Sequence, residues 1–535
     1  MKARNKLKLL SSYLMLFISI MSLSLLSACS SNNTHESSVS SAQDTAASQE
    51  AKLFVLGDTT FNPENEVSDI NPHNAYSGWA CIRYGVGETL FKYSDSMEIE
   101  PWLASSFERL DELNWQIQLK EGLRFSNGHT LNAQAVKDCL EALIANHPRA
   151  QKDLNIDSIE ADGLGLNIKT KVANPALLNY LSDPYGCIID MQAGISPEGI
   201  VVGSGPYQAL SLSSGQKLEL VKNSQYWNGN PAFDKIRVLT ISNGDTLTMA
   251  LQSGEIDAAY GIPYASYPLF NNDQYQISSS PTSRSFFIDM NFKSELIQDH
   301  AVRQALAMGI NKQRFVTELL DNNGFVAQGA FPSNFSFGNE AVKAKQYNPE
   351  AAKEILEQAG WRDTDGDGIR EKDGKKLKLK WLSYPSRQEL PLLAEAAQAD
   401  LKKLGIDVEV NITADHSRLR SDASAWDLYA NAMVTAPTGD PAYFFTSRCL
   451  DSSVANYGAY HNDKLEEMAA KLKETFDPQK RAELAIQMQQ LLLDDDAFIF
   501  CTQLKMSLIS KASISGFIAH PSDYYEISAE LKPAK

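Results

Sequence analysis

Asp363-Thr-Asp-Gly-Asp-Gly-Ile-Arg-Glu-Lys-Asp-Gly374 is a dense run of metal-type ligands. Asp363, Asp365 and Asp367 alternate and Gly368 follows. A calcium loop supplies oxygens in this way at positions 1, 3 and 5, with a sharp turn at position 6. Position 12 is Gly374, where a calcium sensor needs a bidentate Glu. The run is therefore either a loop holding a structural calcium or a bare Asp/Gly turn, built from residues that tolerate turn geometry. A calcium switch is not supported. The eight histidines are scattered, and His147 and His416 are the two considered as ligands to a metal chelate. There is no HExxH helix, no GxSxG elbow and no catalytic-Cys signature, so hydrolysis lacks a nucleophile and base in recognisable context. Gly203-Ser-Gly-Pro-Tyr207 has the small residues of an elbow, but Pro206 makes it a turn.

The elements that must carry these residues alternate in type. Ala51 to Leu56 reads as an apolar strand, and Trp115-Gln-Ile-Gln-Leu119, Leu166 to Thr170 and Lys217 to Lys222 alternate as half-buried strands do. Asn132 is a plausible N-cap for an amphipathic helix running to Leu143. In the second half, Ala301–Gly309, Ala351–Ala359, Leu392–Leu404 and Leu465–Leu493 carry helical apolar spacing, with strands at Leu377–Trp381 and Val408–Ile412 between them. Helix–strand alternation implies α/β domains. A chain of 535 residues is too long for one core and implies two or three domains or subdomains.

The first residues belong to a different kind of segment. Lys2, Arg4, Lys6 and Lys8 precede an apolar run from Leu9 to Leu26, which closes on Leu26-Ser27-Ala28-Cys29. A basic head, an apolar middle and small terminal residues read as an export signal. The ending resembles a bacterial lipobox, with cleavage before Cys29 and lipid on its thiol. Residues 1–28 are then a lipoprotein signal peptide, and 29–50, rich in Ser, Ala, Asn and Thr, are a disordered tether. The expected location is the extracytoplasmic face of the cell membrane, by lipid anchor. Removing residues 1–28 takes the formal charge from −17 to −21. So acidic a body repels nucleic acid. Five cysteines remain beyond Cys29, none at CxxC spacing, and read as buried thiols with at most one pair.

Several segments together resemble a known family. They are Val86-Gly-Glu-Thr-Leu-Phe-Lys-Tyr93, Glu100-Pro-Trp-Leu-Ala-Ser-Ser-Phe107, Trp115 to Gly128, Gly203 to Tyr207, Asn223-Ser-Gln-Tyr-Trp227, Leu251 to Asp257, Ala301 to Ala307, and Tyr347 to Ala352 with Gly360-Trp361. Their order from about residue 51 onward is similar to that of the family 5 extracellular solute-binding proteins of ABC importers, the peptide and nickel-chelate class. The resemblance implies an α/β fold of two lobes, periplasmic-binding-protein-like, type II and cluster C-like, with an extra subdomain on the N-terminal lobe. Lobe I would comprise 51–75, 196–285 and 500–535, the subdomain 76–195, and lobe II 286–499. Ligand would bind between the lobes of a monomer and favour their closure, which a permease and ATPase complex then reads. No enzyme activity and no required cofactor are implied; a structural calcium at Asp363, Asp365 and Asp367 stays open.

For the ligand, the resemblance implies short peptides or peptide-like solutes first, nickel or other metal chelates second, and a peptide-sensing receptor or chaperone-like protein third. In the peptide branches the loop matching Ala436 to Phe445 carries a Trp and then an Asp for the peptide amine. Here Val434 and Pro437 stand at those places, leaving Asp440 as a substitute or a structural turn. The nickel branch carries Arg where Asn146-His-Pro-Arg149 stands, so Arg149 is a candidate for a ligand carboxylate. Tyr84, Tyr443, Phe444 and Tyr457 are candidate cleft aromatics.

Overall fold

The computed structural model describes residues 51–63, 67–387 and 389–534; the expected signal peptide, the tether and Cys29 lie outside them. Ten strands organise the body: β1 (Leu53–Asp58), β2 (Tyr207–Ser213), β3 (Lys217–Lys222), β4 (Lys235–Thr240), β5 (Ala258–Tyr260), β6 (Tyr275–Met290), β7 (Lys378–Ser383), β8 (Asp407–Ile412), β9 (Leu428–Val434) and β10 (Phe498–Lys511). They lie side by side in the order β8-β7-β9-β6-β10-β5-β1-β4-β3-β2, and a short strand at Gly324–Val326 pairs with β10.

Two strands are much longer than the rest. β6 has 16 residues and β10 has 14, and they pair antiparallel from Tyr275↔Lys511 to Asp289↔Phe498. β5 and β1 to β4 lie on one side of this pair, β9, β7 and β8 on the other. β6 and β10 thus carry the chain between two lobes, and the expected limits at 285/286 and 499/500 fall inside them. Their ladder shifts register between Pro281 and Ser285. That irregularity falls where the lobe I part of the sheet passes into the lobe II part.

Each lobe has its own core. In lobe I, Phe54 and Leu56 of β1 point into one cluster and Val55 into another, as strand alternation requires. In lobe II, Phe286 and Ile288 face the helices α2 (His300–Gly309), α3 (Pro349–Gln358) and α4 (Glu389–Lys402), while Phe287 faces Phe331, Phe444 and Phe498. The stretch 76–195 contains a separate four-stranded sheet of Ala104–Arg109, Asn114–Leu119, Gly165–Thr170 and Ile156–Asp162. Its inward residues Trp115, Ile117 and Leu119 belong to the same apolar cluster as β1. Asn132 caps helix α1 (Ala133–Asn146), its Oδ1 accepting from the Ala135 N–H at 3.0 Å.

The apolar run from Leu465 to Leu493 is not one helix. It folds as α5 (Asp463–Glu474) and α6 (Pro478–Asp494). Pro478 cannot continue a helix but suits the first turn of a new one. Asp477 caps that turn, accepting from the Lys480 N–H at 2.9 Å.

Candidate ligand cleft between the lobes

The registers place a cleft. β5 ends at Tyr260, opposite Leu508, and Ser278 of β6 lies opposite the same residue. β9 runs the other way and ends at Val434, opposite Arg284. The carboxyl ends of the lobe I and lobe II strands therefore point at each other across β6 residues 279–284. In open α/β sheets ligands bind beyond the carboxyl ends of strands. Here two such edges face one another over a common floor. The lobes also touch. Asn179 Nδ2 donates to the Thr438 carbonyl at 2.8 Å, and Tyr93 and Met97 pack into the lobe II cluster around Phe287.

A charged network lies along the lobe I edge. Arg83, 3 % exposed, lies between the rings of Trp79 (4.1 Å) and Tyr260 (4.6 Å). Three carboxylates surround it: Glu526 and Asp523 at 2.9 Å and Asp58 at 3.5 Å. Burial pushes Glu526 well above the ordinary carboxylate range, with Arg83 opposing and the neighbouring acids reinforcing the rise. Asp523 rises for the same reason, while Arg83 and Arg284 pull it back. Arg284, half-buried at the end of the floor, makes no ion pair and no side-chain hydrogen bond among the described residues. Neither Arg284 nor this network was visible in the sequence, because its members come together only through the fold.

The sequence-derived candidates separate into two groups. Tyr443 is 38 % exposed; partial burial raises its hydroxyl, and the groups of the subdomain whose charges act on it are Arg149, Tyr76, Asp153 and Asp183. Arg149 itself is committed, paired to Asp153 at 3.2 Å and to Asp183 and lying over Tyr185. Tyr457 lies under the Arg420 guanidinium at 3.9 Å, and Arg420 has no carboxylate partner among the described residues. The remaining three have internal contacts. Tyr84 is fully buried and donates to Asp58 Oδ2 at 2.9 Å; Phe444 is buried among Phe287, Phe331, Phe498 and Phe500. Asp440, 4 % exposed, pairs with Arg481 and accepts from the Ala442 N–H at 2.8 Å.

The two histidines differ as well. His147 Nδ1 accepts from the Ala150 N–H at 3.1 Å and its Nε2 donates to the Ala75 carbonyl at 2.9 Å. Both nitrogens are engaged. His416 stacks on Tyr384 with ring centres 4.2 Å apart and bonds Tyr429 through Nδ1 at 2.9 Å. Burial, then the Arg420 charge, lowers its basicity, and Nε2 makes no hydrogen bond or ion pair among the described residues.

The calcium-like loop lies between α3 and β7, leading into the amino end of that strand rather than its carboxyl end. Asp363, Asp365 and Glu371 bring one oxygen each within 4.8 Å of the others. Asp367 does not join them; it pairs with Lys376, which also holds Asp365 at 3.0 Å. The third ligand of the converging set is thus Glu371 rather than Asp367.

Residues 98–456 match the family described as bacterial extracellular solute-binding proteins, family 5 Middle. The chain belongs to this family. A nickel ABC transporter structure from Bacillus halodurans is 28 % identical, superposes with a TM-score of 0.80, and shares 90 % of this chain and 99 % of its own. The nickel-binding protein NikA of Staphylococcus aureus is 27 % identical over 83 % of this chain and 89 % of its own length. The oligopeptide-binding protein AppA of Bacillus subtilis is 26 % identical over 94 % and 95 %. The two-lobed architecture and the role of solute-binding component of an ABC importer follow from this membership.

Proposed function

We propose that the protein captures a small amino-acid-derived solute in the interlobe cleft, either a short peptide or an amino-acid chelate of a metal, and presents it to an ABC permease and ATPase complex. The observation that carries this is the pair of facing strand edges over a floor that keeps an uncommitted arginine, with the Tyr260 and Tyr264 phenols on the lobe I side. Ligand touching both lobes gains its full binding energy only when they are closed, so binding and the shape read by the permease are one event. The protein acts as a lipid-anchored monomer on the extracytoplasmic face, tethered through Cys29, and leaves its ligand chemically unchanged. The peptide form is supported by the similarity to AppA over nearly the whole chain. The chelate form is supported by the nickel-binding relatives and by Asp440, whose charge is spent on Arg481 rather than held for a peptide amine.

Thermal melting and calorimetry with di- to octapeptides and with nickel–L-histidine test it. At least one class raises the melting temperature by mass action, and mass spectrometry recovers it intact. Binding of neither class overturns the proposal. Conversion of the ligand would do so as well.

A further inference from the structure

One aromatic side chain of lobe II packs into the core of the other lobe. Phe476 stands in the corner 475–477 between α5 and α6. Both helices belong to lobe II: Leu465, Leu472, Ala482 and Leu484 pack in the cluster of Phe287 and Phe444. Phe476 does not follow them. It packs against the cluster shared by β1 and the subdomain. There its ring lies under the Arg109 guanidinium at 4.1 Å, with its centre 6.1 Å from that of Trp115.

Register explains why these two residues meet it together. Arg109 and Trp115 are direct partners across the antiparallel strands of the subdomain, so their side chains share one face. Trp115 is buried, whereas Arg109 is exposed and makes no ion pair among the described residues. Its flat face is left for the ring. The corner is braced from its own side, because Arg481 Nη1 donates to the carbonyls of Leu472 at 2.7 Å and Thr475 at 2.9 Å. Glu474, Asp477 and Pro478 beside it are exposed. Phe476 is thus an apolar ring held out from its own lobe and covered by residues of the facing one. None of the three side chains belongs to the strand ends around β6 residues 279–284. The contact therefore forms whenever the lobes close, whatever those ends hold.

We propose that Phe476 is a latch: seated on Arg109 and Trp115, it stabilises the shut form equally for every cargo and keeps a share of the ligand-free molecules shut. The inference rests on the closure described above and adds control of residence time to it. A shut form held partly by the protein itself must unlatch before cargo leaves, so the latch acts on dissociation rather than association.

The test compares the wild type with Phe476→Ala, with Phe476→Tyr, which keeps the ring, and with Arg109→Met, which keeps the stem and loses the charge. Small-angle scattering of ligand-free protein comes first. Phe476→Ala has the larger radius of gyration, and Phe476→Tyr the wild-type value. Stopped-flow binding of di- to octapeptides and nickel–L-histidine follows. Every cargo that binds leaves Phe476→Ala about fivefold faster, by one common factor, with association within about twofold of wild type. Arg109→Met shows part of this effect and adds nothing to Phe476→Ala in the double variant. Circular dichroism verifies that each variant is folded. Identical ligand-free profiles for the wild type and Phe476→Ala overturn the latch. So does an unchanged dissociation rate, and so does a factor that differs between cargoes, which would make Phe476 a ligand contact. If no cargo binds the wild type, the capture reading fails at its own test, while ligand-free scattering still decides the latch.

Discussion

Asp440 carries a choice between ligand contact and framework, and its surroundings favour the framework. Its partner Arg481 is 6 % exposed, so Asp440→Asn leaves a buried guanidinium unpaired while keeping a side-chain oxygen for the Ala442 N–H. Losing one member of a buried pair costs about 3–5 kcal/mol. The variant therefore melts several degrees lower but binds ligand with affinity within about twofold of wild type, a difference well under 1 kcal/mol. Lost affinity at an unchanged melting temperature would return Asp440 to the ligand. Acidity gives a second residue-level outcome. Burial holds His73 and His520 down at about 4, whereas in the unfolded chain histidine titrates near 6.5. Between these values the unfolded chain binds more protons, so their contribution is intact above pH 6.5 and lost as pH falls toward 4. Glu88, raised by burial to about 7, runs the opposite way and favours folding as pH drops from 7 toward 4.5. A melting series should accordingly show His73→Asn with His520→Asn flattening the acid limb below pH 6.5, and Glu88→Gln leaving that limb steeper.

Among elements, the loop 437–440 packs against the backbone of the facing lobe at Met97 and accepts from Asn179 through the Thr438 carbonyl. Gly439 has φ of 72°, and a Cβ there would lie 2.3 Å from the Met97 carbonyl oxygen. Gly439→Ala meets both the strained backbone and the backbone clash, so the loop withdraws from Met97. The closed form then becomes rarer and apparent affinity falls in proportion; at least about a tenfold loss is expected in calorimetry, with secondary structure by circular dichroism unchanged. Unaltered affinity would show that this contact plays no part in closure. Elements of this kind were unevenly legible in the sequence. Strands with strict alternation, such as Asn114–Leu119 and Lys217–Lys222, and the Asn132-capped helix announced themselves through local pattern. β6 did not. Its Ser278 to Ser285 stretch is too polar to read as a strand, and it is one because β10 and, at its Arg284 end, β9 satisfy its backbone. The apolar run to Leu493 reads as a single helix, since apolar spacing survives the break at Asp477-Pro478. Candidate site residues fared less well. A carboxylate pairing such as Arg149 with Asp183 leaves no local trace, and Arg83 meets Asp58, Asp523 and Glu526 only because the fold brings distant segments together.

For the whole molecule, the central claim is that two α/β lobes joined by β6 and β10 shut on a small solute. Small-angle X-ray scattering from the same preparation, without ligand and then saturated with the tightest-binding peptide or nickel–L-histidine, reads this directly. The radius of gyration is expected to fall on saturation and the scattering profile to shift toward that of a more compact particle, with molecular mass unchanged. Identical profiles with bound ligand demonstrated calorimetrically in the same sample would contradict capture by closure.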